Sequence, residues 1–191
     1  MICRAEPSVS ACACSVTNKV REQVGTPRNC MKRFHLDTSL WLPRPRNEVF
    51  QFFADALNLE DITPPWLRFR VITPSPIQIC EGAEIKYRLR IRGIPIRWQT
   101  RITAWDPPLR FVDEQIRGPY RLWIHEHRFS EQQNGTLCED SVQYAPVGGT
   151  LINKLFVERD VREIFAYRAE RLRKLFPVSS LQPSQEDRLK K

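Results

Sequence analysis

Between Ile85 and Ile102 apolar and polar side chains alternate residue by residue, which restricts this stretch to a half-buried β-hairpin. Ile85, Tyr87, Leu89 and Ile91 form one series, and Lys86, Arg88, Arg90 and Arg92 form the other. Successive side chains of a strand point to opposite faces, so one face is apolar and the other basic. After a tight connection at Gly93-Ile94, Ile96, Trp98, Thr100 and Ile102 continue the first series, and Arg97, Gln99 and Arg101 the second. Pairing Arg92 with Pro95 sets Leu89 opposite Trp98 and Tyr87 opposite Thr100. In this register both faces stay uniform, as a sheet with one buried face demands.

The same period of two recurs along most of the chain. Phe34, Leu36, Thr38 and Leu40 predict a first strand near 33–41. Val49, Phe50, Phe53, Ala54 and Leu57 have helical spacing instead, and Thr63-Pro-Pro-Trp66 ends that segment because proline cannot continue a helix. Trp66, with Pro64 and Pro65, reads either as a rim near a cavity mouth or as a plug against the core. Further strands are predicted at 67–73, 109–117, from 120 onward and at 136–145, separated by Pro- or Gly-containing turns. From 149 to 176 the period changes. Leu151, Leu155, Val161, Ile164, Phe165, Arg168, Leu172 and Leu175 recur at three- and four-residue intervals, predicting one long amphipathic helix.

The order is therefore strand, helical segment, six strands, long helix. A seven-stranded antiparallel sheet must bury one face, and the long helix supplies the matching apolar stripe. The expected fold is α+β, a curved sheet wrapped around the C-terminal helix. One domain is expected at 32–177, preceded by a leader at 1–31 without regular periodicity and followed by a polar, disordered tail at 178–191. The pattern begins so sharply at Met31 that translation starting there is expected.

Composition limits the function classes. The 191 residues carry a net charge of +8, which permits an anionic partner, but none of the common nucleic-acid-binding signatures occurs. No apolar run approaches the roughly 18 residues of a spanning helix, and Arg4 and Glu6 break any secretory signal, so the cytoplasm is the expected location. Four of the six cysteines (Cys3, Cys12, Cys14, Cys30) fall in the leader, where Cys12-x-Cys14 is spaced more tightly than the usual zinc pair. Reduced thiols are expected.

The chemistry concentrates in Trp123-Ile-His-Glu-His-Arg-Phe129. In a strand, Trp123, His125, His127 and Phe129 share one face, and two of the three histidines of the chain stand in that row. If Arg117 and Arg121 flank the Gly118-Pro-Tyr120 turn, Asp113 lies opposite His125 and Gln115 opposite Trp123. If Glu131 pairs with Thr136, His127 lies opposite Asp140 and Trp123 opposite Tyr144. Two carboxylate–imidazole pairs then share a face with Tyr87, Trp98 and Thr100. A carboxylate beside an imidazole fixes its tautomer and raises its pKa, while burial lowers it.

Pro95-Ile-Arg-Trp-Gln-Thr-Arg-Ile-Thr-Ala-Trp-Asp-Pro-Pro108, Phe111-Val-Asp-Glu-Gln115, Gly118-Pro-Tyr120 and the histidine strand together resemble the START-like, or SRPBCC, superfamily. The resemblance spans roughly Phe34 to Phe176. It implies the helix-grip fold, with a deep hydrophobic cavity between sheet and helix. It also groups the chain with lipid-transfer domains, pollen allergens and polyketide cyclases.

Three uses of such a cavity are open. A carrier of a small hydrophobic ligand, such as a lipid, polyketide or isoprenoid-like molecule, would hold it with Tyr87, Leu89, Trp98, Trp123 and Tyr144. Polar specificity would come from Thr100, Asp113, Gln115, His125 and His127. An aromatase/cyclase-type enzyme would use His125 or His127, with Asp113 and Asp140, as general acid–base. An adaptor would instead meet an acidic partner or anionic membrane through Lys86, Arg88, Arg90, Arg92, Arg97 and Arg101, and a void below roughly 300 Å³ would favour it. Two histidines and a carboxylate can hold an ion, but the register uses the carboxylates as partners of the rings. Neither metal nor cofactor is expected.

Overall fold

The computed structural model describes residues 19–23, by their backbone, and 31–178. The leader and tail expectations, with the four leader cysteines and the Met31 start, otherwise lie outside the described residues.

Eight strands form one antiparallel sheet in the order β1-β2-β8-β7-β6-β5-β4-β3. They are β1 (Lys19–Gln23), β2 (Arg33–Leu42), β3 (Arg70–Val71), β4 (Glu84–Ile91), β5 (Ile94–Asp106), β6 (Arg110–Arg117), β7 (Tyr120–Gln132) and β8 (Gly135–Pro146). Seven of them, β2 to β8, are the predicted strands. The eighth, β1, pairs with β2 as an added edge within the leader, where no strand is predicted. Register shifts interrupt β5 against β6 and β7 against β8. Such bulges bend a sheet and strengthen its twist, which lets this one curve over its helices.

Helix α1 (Arg46–Phe53) buries Val49 and Phe50 against the sheet. The chain then passes through a turn capped by Asp55, whose carboxylate accepts from the Leu57 N–H at 2.9 Å, and the short α2 (Leu59–Ile62). Leu57, predicted to continue the apolar face of α1, is consequently exposed. The strand predicted over 67–73 shrinks to two residues. Leu67 belongs to a 3₁₀ turn, Arg68 adopts a left-handed φ of 44°, and the Ile72 and Thr73 N–H groups share the Lys86 carbonyl. Pro64 and Leu67 are buried, whereas Trp66 turns outward onto Tyr167 with ring centroids 5.5 Å apart.

The hairpin register is also corrected. The β4–β5 turn is Arg92-Gly93, both with positive φ (51° and 83°), the conformation of the tight two-residue hairpin turn. Ile91 therefore pairs with Ile94, Tyr87 with Trp98 and Arg88 with Arg97, two residues away from the predicted pairing. Because a strand repeats every two residues, the shift leaves both faces as predicted.

The C-terminal helix is continuous but not uniform. Helix α3 (Gly149–Ile152) leads through a π-helical turn at Asn153–Val157 into α4 (Glu158–Leu175). The wider turn displaces the apolar stripe, so Asn153 is buried while Leu151 and Leu155, predicted to face the sheet, are exposed. Leu175, at the other end, is 40% exposed. Val161, Phe165, Ala169 and Leu172 carry the buried face of α4. Acidic Glu158 and Asp160 begin this helix and basic Arg173 and Lys174 end it, matching its dipole. Among the described residues no helix is long and apolar enough to cross a membrane.

Candidate functional site

On the inner face of the sheet, β6, β7 and β8 bring four ionisable side chains together. Asp113 pairs with His125, and His127 with Asp140, in the predicted register. Each imidazole reaches both carboxylates. Asp140 Oδ1 lies 3.2 Å from His125 Nε2 and 2.7 Å from His127 Nδ1. Asp113 Oδ2 lies 3.5 Å from His125 Nδ1 and 3.5 Å from His127 Nε2. The result is a closed tetrad rather than two separate pairs.

Its outer oxygens are also held. The Thr100 hydroxyl on β5 lies 3.0 Å from Asp113 Oδ1 and 2.9 Å from the Glu114 carbonyl. The Thr38 hydroxyl on β2 donates to Asp140 Oδ2 at 3.4 Å. Phe111 stacks on His127 with centroids 4.2 Å apart, and Phe165 meets His125 edge-on at 5.4 Å. Both histidines are about 95% buried, with relative exposures of 4% and 5%.

Burial and pairing compete at each group. Burial raises the Asp140 carboxyl, but the His127 charge and hydrogen bonds from both rings outweigh it and hold the group well below the ordinary carboxylate value. Asp113 is lowered for the same reasons, with burial opposed chiefly by His127 and His125. Burial also works against protonation of His127, yet Asp140 and Asp113 together raise its pKa. At His125, burial and then the neighbouring His127 charge prevail, and its pKa falls.

Above the tetrad lies a cavity of about 160 Å³ between the sheet, α1–α2 and α4. Tyr87, Leu89, Trp98, Thr100, Asp113, Trp123, His125 and His127, all predicted site residues, line it. The structure moves two others away. Gln115 folds back on its own turn, donating through Nε2 to the Tyr120 carbonyl at 2.7 Å. Its Oε1 packs closely on Gly118, where an added Cβ would stand 2.3 Å away and displace the glutamine side chain. Tyr144 is fully buried among Phe34, Tyr120 and Trp123, in an apolar cluster beside the cavity. Asp140 lies beneath the floor, holding the rings without lining the void.

Arg168, predicted only as part of the helical stripe, lines the cavity as a cation, its guanidinium 5.0 Å from the centroid of the Phe165 ring. Its position in the inward series Val161, Phe165, Arg168, Leu172 was the available signal. Phe111 was equally legible, because the β6–β7 register that pairs Asp113 with His125 pairs Phe111 with His127.

Residues 42–172 match the model of the family described as polyketide cyclase / dehydrase and lipid transport. Among solved structures, protein Ms6760 from Mycobacterium smegmatis is similar at 18% identity and a TM-score of 0.60, covering 84% of this chain and 97% of its own. CalU16 from Micromonospora echinospora is 14% identical with a TM-score of 0.52, over 83% of this chain and 86% of its own. The major latex-like protein 151 from Panax ginseng is 10% identical with a TM-score of 0.58, over 76% of this chain and 99% of its own. No curated protein matches the chain. At these identities the structural likenesses establish the helix-grip fold alone.

Proposed function

The chain belongs to the polyketide cyclase / dehydrase and lipid transport family, and on that premise we propose that it binds a hydrophobic molecule of single-ring size in the cavity over the tetrad. The observation that carries this reading is a cavity of about 160 Å³ with mainly aromatic and aliphatic walls, the tetrad as a polar floor and Arg168 in its lining. Pockets for drug-sized ligands hold roughly 300–1,000 Å³, whereas an apolar void of about 150 Å³ accepts benzene. A fatty acyl chain or fused polycycle would extend beyond this volume. Trp98, Trp123 and Tyr87 supply contact area, and the tetrad supplies the polar group that orients the ligand.

Native mass spectrometry of protein purified from its own host tests this, followed by His125→Ala and His127→Ala variants assayed on the co-purifying compound. A single-ring compound returned unchanged, with binding lost in the variants, supports a carrier. Conversion that disappears in the variants supports a cyclase-type enzyme instead. No bound compound, together with no saturable binding of single-ring probes such as phenol, defeats both.

The small void also favours a second reading, an adaptor acting through the basic outer face. Of the six basic residues there, Arg92 is bound to Asp160 and Arg101 to Glu84. Lys86, Arg88, Arg90 and Arg97 are exposed and form no ion pair among the described residues, which leaves them for an anionic partner. Flotation with anionic and neutral vesicles at low and high salt tests this. Equal binding to both vesicle types removes the electrostatic case.

A further inference from the structure

Counting hydrogen-bond donors singles out the Asp113 side of the tetrad. Asp140 Oδ1 is the carboxylate oxygen nearest both rings, 3.2 Å from His125 Nε2 and 2.7 Å from His127 Nδ1, so the tautomers that place a hydrogen on those two nitrogens direct both rings at it. A neutral imidazole carries one N–H only. With both directed at Asp140, His125 Nδ1 and His127 Nε2 turn bare lone pairs toward Asp113 Oδ2, each 3.5 Å from it. Three electron-rich atoms then converge on one point. Protonating one ring relieves one contact and leaves the other. Protonating both would set two cations side by side, with ring centroids 3.8 Å apart.

Two of the three spacings suit a metal ion, because His125 Nδ1 and His127 Nε2 each lie 3.5 Å from Asp113 Oδ2. Two donors each about 2.0–2.2 Å from a tetrahedral ion are about 3.3–3.6 Å apart. One ligand atom from each of Asp113, His125 and His127 lies within 4.8 Å of the other two. We propose that Asp113, His125 and His127 form a binding site for one divalent transition-metal cation, with Asp140 as the outer carboxylate that orients both rings.

The surroundings agree with this assignment. Thr100 donates to Asp113 Oδ1, leaving Oδ2 for the ion, and Thr38 does the same for Asp140 by engaging Oδ2 and leaving Oδ1 for the rings. Carboxylates placed behind metal-bound histidines commonly fix the tautomer in this way. The two buried carboxylates carry two negative charges, which a divalent ion offsets when both rings are neutral. Asp113, His125 and His127 line the cavity and Asp140 does not, so the remaining coordination position opens onto the ligand space. Three protein ligands with an open position is the arrangement of ions that meet a substrate, not of purely structural ones.

The test is titration of the full, EDTA-stripped chain with Co²⁺ alone, followed by visible absorption and native mass spectrometry. One equivalent is expected, with d–d bands and without the intense near-ultraviolet band of cobalt–thiolate ligation, which separates this site from the six cysteines. Asp113→Asn should weaken binding at least about a hundredfold, and Asp140→Asn, acting through the rings, about 10–100-fold. Circular dichroism checks that each variant is folded. Should the variants unfold, hyperfine-shifted imidazole signals in the unmodified protein decide, and they should come from His125 and His127 and not from His35. Absence of one-equivalent binding at cobalt concentrations up to about 1 mM overturns the assignment, as do thiolate-only ligation or shifts confined to His35. No organic ligand is present, so this outcome is independent of whether the cavity takes a single-ring molecule.

Discussion

Along β7, His125, Glu126 and His127 are consecutive, yet they belong to two electrostatic regimes. The two imidazoles point inward and share buried carboxylates. Glu126, between them, points outward to Arg110 at 3.3 Å and Arg128 at 3.0 Å. Those arginine side chains are 43% and 61% exposed. One residue of strand alternation separates charges that water screens from charges that have only each other. In the inner group each member is a condition for the others. In the outer group the members are nearly independent.

Predictions that break or sharpen this contrast fall in a definite order. Asp140→Ala removes the carboxylate nearest both rings and leaves two buried imidazoles without their main partner. It should lower the unfolding free energy of metal-free protein by about 3–5 kcal/mol in denaturant titration. A loss below about 1 kcal/mol would mean that the tetrad is not acting as a unit. Thr100→Val keeps shape and removes only the hydroxyl that donates to Asp113, and should cost about 1–3 kcal/mol by the same assay. Glu126→Ala, on the opposite face of the same strand, should cost less than about 1 kcal/mol, reduced further by salt. If Glu126→Ala matched Asp140→Ala, burial would not be what separates the two faces.

Much of the inner face was legible in the sequence because turns fix register. Gly118-Pro-Tyr120 and the turn before Thr136 were recognisable, and strict alternation carried Asp113, His125, His127 and Asp140 into one patch. What pairwise register could not convey was closure, since each ring spans both carboxylates diagonally as well as directly. The β4–β5 turn was misplaced by one residue, which shifts the pairing by two, because Arg92 holds a left-handed conformation usually left to glycine or asparagine. The error stayed hidden because both registers satisfy the same faces. Leu151 and Leu155 were misassigned because a π-helical turn leaves no mark in a 3.6-residue period. Gln115 and Tyr144 stood on the expected face but were drawn into a turn and an apolar cluster, outcomes that depend on neighbours rather than on period.

Three histidines serve as built-in reporters of the two faces, with His125 and His127 inside and His35 on the outer side of β2, 3.3 Å from Gln143. The most direct measurement is a phenol titration of metal-free, ¹⁵N-histidine-labelled protein, followed through the ring nitrogens. Saturable shifts at His125 and His127, with His35 unmoved and no such response to a long-chain fatty acid, are the predicted result. Silence at both inner rings, or a response confined to His35, would contradict the account.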